Sequence, residues 1–116
     1  MSASQRAGAD EVRHTTFPSV LIGTWAPNAA LCAAKDKSSI TIAANGYSTA
    51  DSKCSVGWIV ETAGSLGPNY AVHAQCDGNG QAARADVVNM ILRPEGGDRV
   101  AIGTSFTDLK PYLRCP

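Results

Sequence analysis

The chain carries no net charge: ten basic and ten acidic side chains cancel over 116 residues, and charged residues make up only 17%. That leaves no broad basic footprint for nucleic acid or an anionic membrane surface. Long hydrophobic runs are also missing. The longest, around Ile59-Val60, is far too short to span a bilayer, so no membrane insertion is expected. Histidine is scarce, with only His14 and His73, and no two cysteines lie close together. A mixed Cys/His metal cluster therefore has little to build on, and no metal or cofactor is expected. Aromatic residues make up 6%, which favours a barrel or sandwich filled by its own side chains over a hollow one.

What is present is a 44% hydrophobic, glycine-rich chain with no internal repeat, long enough for one modest core. Its four cysteines, Cys32, Cys54, Cys76 and Cys115, are spaced 22, 22 and 39 positions apart. An even count in a small, loop-rich chain reads as two disulfides and an oxidising compartment, periplasmic or extracellular. The run from Met1 to Val20 contains no apolar stretch of the kind a secretory leader needs. Export then requires that a leader has been removed and Met1 added, which is the reading preferred over a cytosolic protein with free thiols.

Residues 1–18 are polar and aperiodic and read as a flexible arm; residues 19–116 read as a single β domain. Short alternating runs broken by turn residues begin at Val20–Trp25. Ala29–Lys35 has the composition of one helical turn, and Ile40 and Ile42 share a face. Asn45-Gly46 reads as a type I′ hairpin turn. Cys54, Val56, Trp58 and Val60 alternate along one strand, and Tyr70, Val72, Ala74 and Cys76 along another. Turns at Asp77–Gly80 and Pro94–Asp98 bracket an apolar strand at Val87–Leu92, and short strands follow at Val100-Ile102 and Leu109–Cys115. The expectation is an all-β antiparallel meander closing into a small eight-stranded, lipocalin-like barrel, because closure removes exposed sheet edges. Its inward set would be Ile40, Ile42, Val56, Trp58, Val72, Ala74 and Leu92, with Trp25 plugging one end.

A hairpin centred on Leu66 opposes Cys54 to Gly78 and leaves Cys54 and Cys76 on a diagonal of roughly 7–8 Å, beyond disulfide reach. A slip of two residues would oppose them directly. Without that slip the expected bridges are Cys32–Cys54 and Cys76–Cys115.

Gly23-Thr24-Trp25 resembles the G-x-W opening of lipocalins, avidins and related small barrels. Together with Cys32, the Ile-x-Ile strand, Cys54 and Trp58, it is similar to the small secreted bacterial inhibitors of serralysin-type metalloproteases. Those are eight-stranded barrels with one disulfide whose N-terminal segment lies in the enzyme cleft. The resemblance implies a protein partner, a secreted hydrolase. A G-T-W start with Tyr112–Cys115 as Y-x-R-C also resembles uncharacterised four-cysteine periplasmic proteins of α-proteobacteria. Finally, Ser65–Tyr70 resembles the S-G-x-x-Y loop of periplasmic lysozyme inhibitors, with one extra residue between Ser65 and Gly67. That likeness implies a partner-binding loop using Ser65, Gly67 and Tyr70.

Enzyme signatures are weak, and no catalytic residue is assigned. Ala63–Gly67 holds its serine between glycines but is one residue short of a nucleophile elbow. His73 faces away from Tyr70 and Val72 with no evident serine partner, and the paired carboxylates Asp10-Glu11 fall in the arm. The chain reads as a non-enzymatic binding protein.

Overall fold

The structure, a computed structural model, describes residues 11–34, 39–50, 52–64, 67–77 and 89–116. Among the described residues nine strands form one antiparallel sheet: β1 (Glu11–His14), β2 (Gly23–Ala26), β3 (Ile40–Ala43), β4 (Gly46–Ser48), β5 (Lys53–Thr62), β6 (Asn69–Asp77), β7 (Met90–Pro94), β8 (Arg99–Gly103) and β9 (Lys110–Arg114). Strands β2 to β9 close on themselves in the order β5-β4-β3-β2-β9-β8-β7-β6, with β6 returning to β5. The result is the expected eight-stranded barrel. Alternation along the strands is what closes it. Ile40, Ile42, Ile59, Tyr70, Val72, Ala74, Met90, Leu92, Val100 and Ile102 point inward and join Trp25 in one contiguous core.

The first of the differences concerns residues 11–17. They are not a free arm: β1 pairs with the C-terminal half of β5 (Glu11 opposite Thr62, His14 opposite Ile59), and Phe17 is buried in the core. The β5 edge is thus shared, with β4 on its first half and β1 on its second. Amphipathic spacing over four residues was too short a signal to distinguish from coil. Residues 1–10 lie outside the described residues.

Second, the first strand is shorter than expected. Ser19–Leu21 forms a 3₁₀ turn, and extended pairing starts only at Gly23, whose φ of +143° suits glycine alone. The Asn45-Gly46 turn is displaced by one residue. Ala43 pairs with Gly46, so the hairpin loop is Ala44-Asn45 and Gly46 belongs to β4. Glycine is needed there because a Cβ would collide with the Cys54 carbonyl oxygen across the strand pair. The Ala-rich segment forms the short helix α1 (Ala29–Ala34), started by Asn28, whose Oδ1 accepts from the Leu31 N–H at 3.0 Å. The expected Asp77–Gly80 turn and the start of the Val87–Leu92 strand fall largely outside the described residues; the strand is described from Met90.

Third, the bridges are Cys32–Cys115 and Cys54–Cys76, not the pairs expected. Thr62 opposes Asn69, which moves the hairpin centre by half a residue and so every partner by one, and a β-bulge between Val56 and Trp58 adds a further one-residue shift. The two displacements together supply the two-residue slip that puts Cys54 opposite Cys76. Cys32 is then carried back along β2 by α1 to reach Cys115, just beyond β9.

Candidate functional site

The same bulge re-aims every side chain after Gly57. Before it, Cys54 and Val56 face the interior; after it, Ile59 does, and Trp58 turns outward. Trp58 is therefore not an interior residue as its alternation implied. An isolated glycine inside a strand is the sequence signal for such a bulge, and Gly57 carried it.

On the outer face Trp58 stands between two neighbouring strands. From β6, His73 stacks on the indole, centroids 4.4 Å apart and planes 16° from parallel. From β1, the Arg13 guanidinium lies 5.1 Å from the ring centroid. Cation, indole and imidazole thus form a ladder across β1, β5 and β6, with Trp58 and His73 half-buried and Arg13 exposed. His73 is part of a stacked surface.

The opposite face of the same three strands holds a polar cluster at the barrel end. His14 Nε2 lies 2.8 Å from Glu61 Oε1, both side chains about one-third exposed. Glu61 pairs across the strands with Tyr70, whose ring is 6.4 Å from that of His14. Burial, and after it the Glu61 charge, push the Tyr70 hydroxyl above its ordinary value.

Of the proposed loop residues, Ser65 lies outside the described residues, Gly67 adopts φ +117°, and Tyr70 is only 7% exposed. Tyr70 belongs to the core, so it is not available as a loop contact. Among the described residues nothing hydrogen-bonds the buried Oδ1 of its neighbour Asn69.

The barrel end crossed by residues 17–22 is sealed by Trp25 and Arg114. Trp25 donates from Nε1 to the Leu21 carbonyl at 3.0 Å, and Arg114 covers the indole at 4.4 Å. The guanidinium of Arg114 then donates to the carbonyls of Ile22 and Val20, both at 2.7 Å, and faces Asp98 at 3.4 Å. Trp25 thus plugs the barrel as its sequence position implied, while Arg114 escaped notice because its partners are 92 and 94 residues away.

An open hollow of about 500 Å³ lies over β3, β4 and the start of β5, lined by Thr41, Ala43, Gly46, Tyr47, Ser48 and Lys53 among others. Tyr47 itself packs edge-on against Phe17, and its hydroxyl approaches Cys76 Sγ at 3.8 Å. Burial raises its hydroxyl from 10.0 to about 12. Because the unfolded chain releases this proton first, stability is intact below pH 10 and falls as pH rises toward 12. Two units correspond to about 2–3 kcal/mol. Urea unfolding of Tyr47→Phe between those pH values is expected to show a shallower alkaline decline than the unaltered protein.

Among the described residues no three His, Cys, Asp or Glu side chains converge as a metal site, and no helix is long and apolar enough to cross a membrane. Comparison with protein-family models, curated proteins and solved structures finds no match to this chain.

Proposed function

We propose that this is an exported binding protein, a disulfide-stapled barrel of lipocalin-like type, which engages a protein partner through the outer face of β1, β5 and β6. The observation that carries the reading is the outward Trp58, flanked by Arg13 and His73. Trp and Arg are the residue types that concentrate binding energy at protein interfaces, and a stacked indole loses little conformational freedom when a partner covers it. The two disulfides support an oxidising compartment, periplasmic or extracellular. The contiguous inward cluster argues against a carrier of an apolar ligand.

The partner class favoured is a secreted hydrolase, on the resemblance of Gly23-x-Trp25 and the surrounding motifs to barrel-type protease inhibitors. Residues 11–17 are built into the barrel, so of the expected arm it is residues 1–10 that could enter a cleft. The test is inhibition of a serralysin-type metalloprotease and, separately, of lysozyme. Inhibition of either enzyme that Trp58→Ala weakens about 30-fold, and that survives deletion of residues 1–10, is the expected result. Inhibition lost with residues 1–10 but indifferent to Trp58→Ala would overturn the outer-face reading. Absence of inhibition of both enzymes would overturn the hydrolase partner.

A further inference from the structure

Closing the barrel leaves β1 as the one strand appended to its outside: it pairs with β5, and among the described residues nothing pairs with its other edge. A free edge presents unpaired N–H and C=O groups that a further strand can satisfy. The geometry points to a second copy of this chain as that strand, joined β1 to β1 in antiparallel fashion.

The charge pattern of Glu11-Val12-Arg13-His14 decides the register. Two identical strands related by a two-fold axis perpendicular to the sheet keep the same faces, and residues directly opposite must share a face. The axis must then pass beside one residue opposed to itself. Centring on Glu11 opposes two carboxylates, and centring on Arg13 opposes two guanidinium groups. Centring on Val12 opposes Glu11 to Arg13 of the second copy, twice over, and sets the two Val12 side chains against each other. Val12 is 48% exposed, an apolar side chain with room for that contact. Glu11 and Arg13 lie on the outer face, and Arg13 is already steadied over Trp58, which reduces the ordering needed to make the pair.

Pairing of this kind joins the two sheets across β1 and places both Trp58 ladders on one side of the dimer. The contact opposes three residues of each chain, Glu11 to Arg13, well short of a standard interface, so the association is weak, with a dissociation constant of about 10 µM to 1 mM. It does not depend on the proposed partner, because Trp58 takes no part in the strand pairing.

The experiment is sedimentation equilibrium of the full chain across that concentration range. Self-association is expected for the unaltered protein and for Trp58→Ala. Glu11→Arg and Arg13→Glu should each weaken it at least tenfold, because each opposes like charges twice. An equimolar mixture of those two variants should form a heterodimer, since all its opposed pairs are then of opposite sign. The double exchange Glu11→Arg with Arg13→Glu should restore self-association, which guards against loss of folding in a single variant. A protein that stays monomeric at 1 mM, or single variants that associate undiminished, would overturn the proposal.

Discussion

Replacing Trp25 by alanine is expected to remove about 3–5 kcal/mol of stability, because it is the largest of the fully buried side chains among the described residues. Trp25 is 1% exposed and sits where the segment of residues 17–22 crosses the barrel end, against Leu21 and Phe17. Truncation leaves a void that neighbours on separate strands cannot close, since each is held by its own ladder. It also strips the Leu21 carbonyl of its indole donor and the Arg114 guanidinium of its aromatic face. With a domain of this size stable by about 5–15 kcal/mol, such a variant is close to unfolding at ambient temperature. Urea denaturation measures the loss directly. The companion variant Arg114→Met keeps apolar cover over the indole but leaves the Val20 and Ile22 carbonyls without their donors. Its cost should be about 2–3 kcal/mol, and Trp25→Ala combined with Arg114→Met should fall short of the sum, because each variant already forfeits the guanidinium–indole contact. Strict additivity in that cycle would mean that Arg114 clamps the 3₁₀ segment without help from the indole.

The second large effect concerns the two bridges, and it ranks them. Cys32–Cys115 spans 83 residues and Cys54–Cys76 spans 22. Constraining the unfolded chain over those lengths stabilises by about 4.6 and about 3.4 kcal/mol respectively in the chain-entropy treatment. Replacing both cysteines of the longer bridge by alanine should therefore cost more than the same change in the shorter one. There is a second reason for that order. The shorter bridge joins β5 and β6, which already pair along nine residue positions, whereas the longer one fastens α1, a helix of only six residues, to the last residues of the chain. Paired urea titrations of Cys32→Ala/Cys115→Ala and Cys54→Ala/Cys76→Ala decide it. A larger loss from the shorter bridge would show that register in the β5–β6 hairpin is held by sulfur and not by its own ladder.

That hairpin also marks the limit of what the sequence could disclose about the candidate site. Alternation from Cys54 to Val60 reads as one unbroken face, and Trp58 falls on the inside of it. The glycine at position 57 interrupts the alternation, but a glycine in a strand is compatible with several outcomes, and only the pairing with β6 selects a bulge there. The Arg13–Trp58–His73 ladder then follows from three strands lying side by side, one of which the sequence presented as loose chain. Similarly, only the likeness of Ser65–Tyr70 to an inhibitor loop made Tyr70 a partner contact; its alternation with Val72 and Ala74, and its pairing with Leu92 and Glu61, place it in the core.

By itself, then, the sequence determined the class of fold, the existence of two bridges among four cysteines, the helical turn that contains Cys32 and the burial of Trp25. These follow from properties that neighbouring residues share: period-two alternation, turn-forming residues at intervals, and a cysteine count. The tertiary structure alone decided which cysteines pair, which way Trp58 faces, that β1 belongs to the sheet, and that Arg114 closes the barrel over Trp25. Each of those depends on register between segments far apart in the chain, and in a strand a displacement of one residue moves a side chain to the opposite face. Local pattern carries no record of such a displacement, so one bulge beside Gly57 was enough to exchange interior for surface.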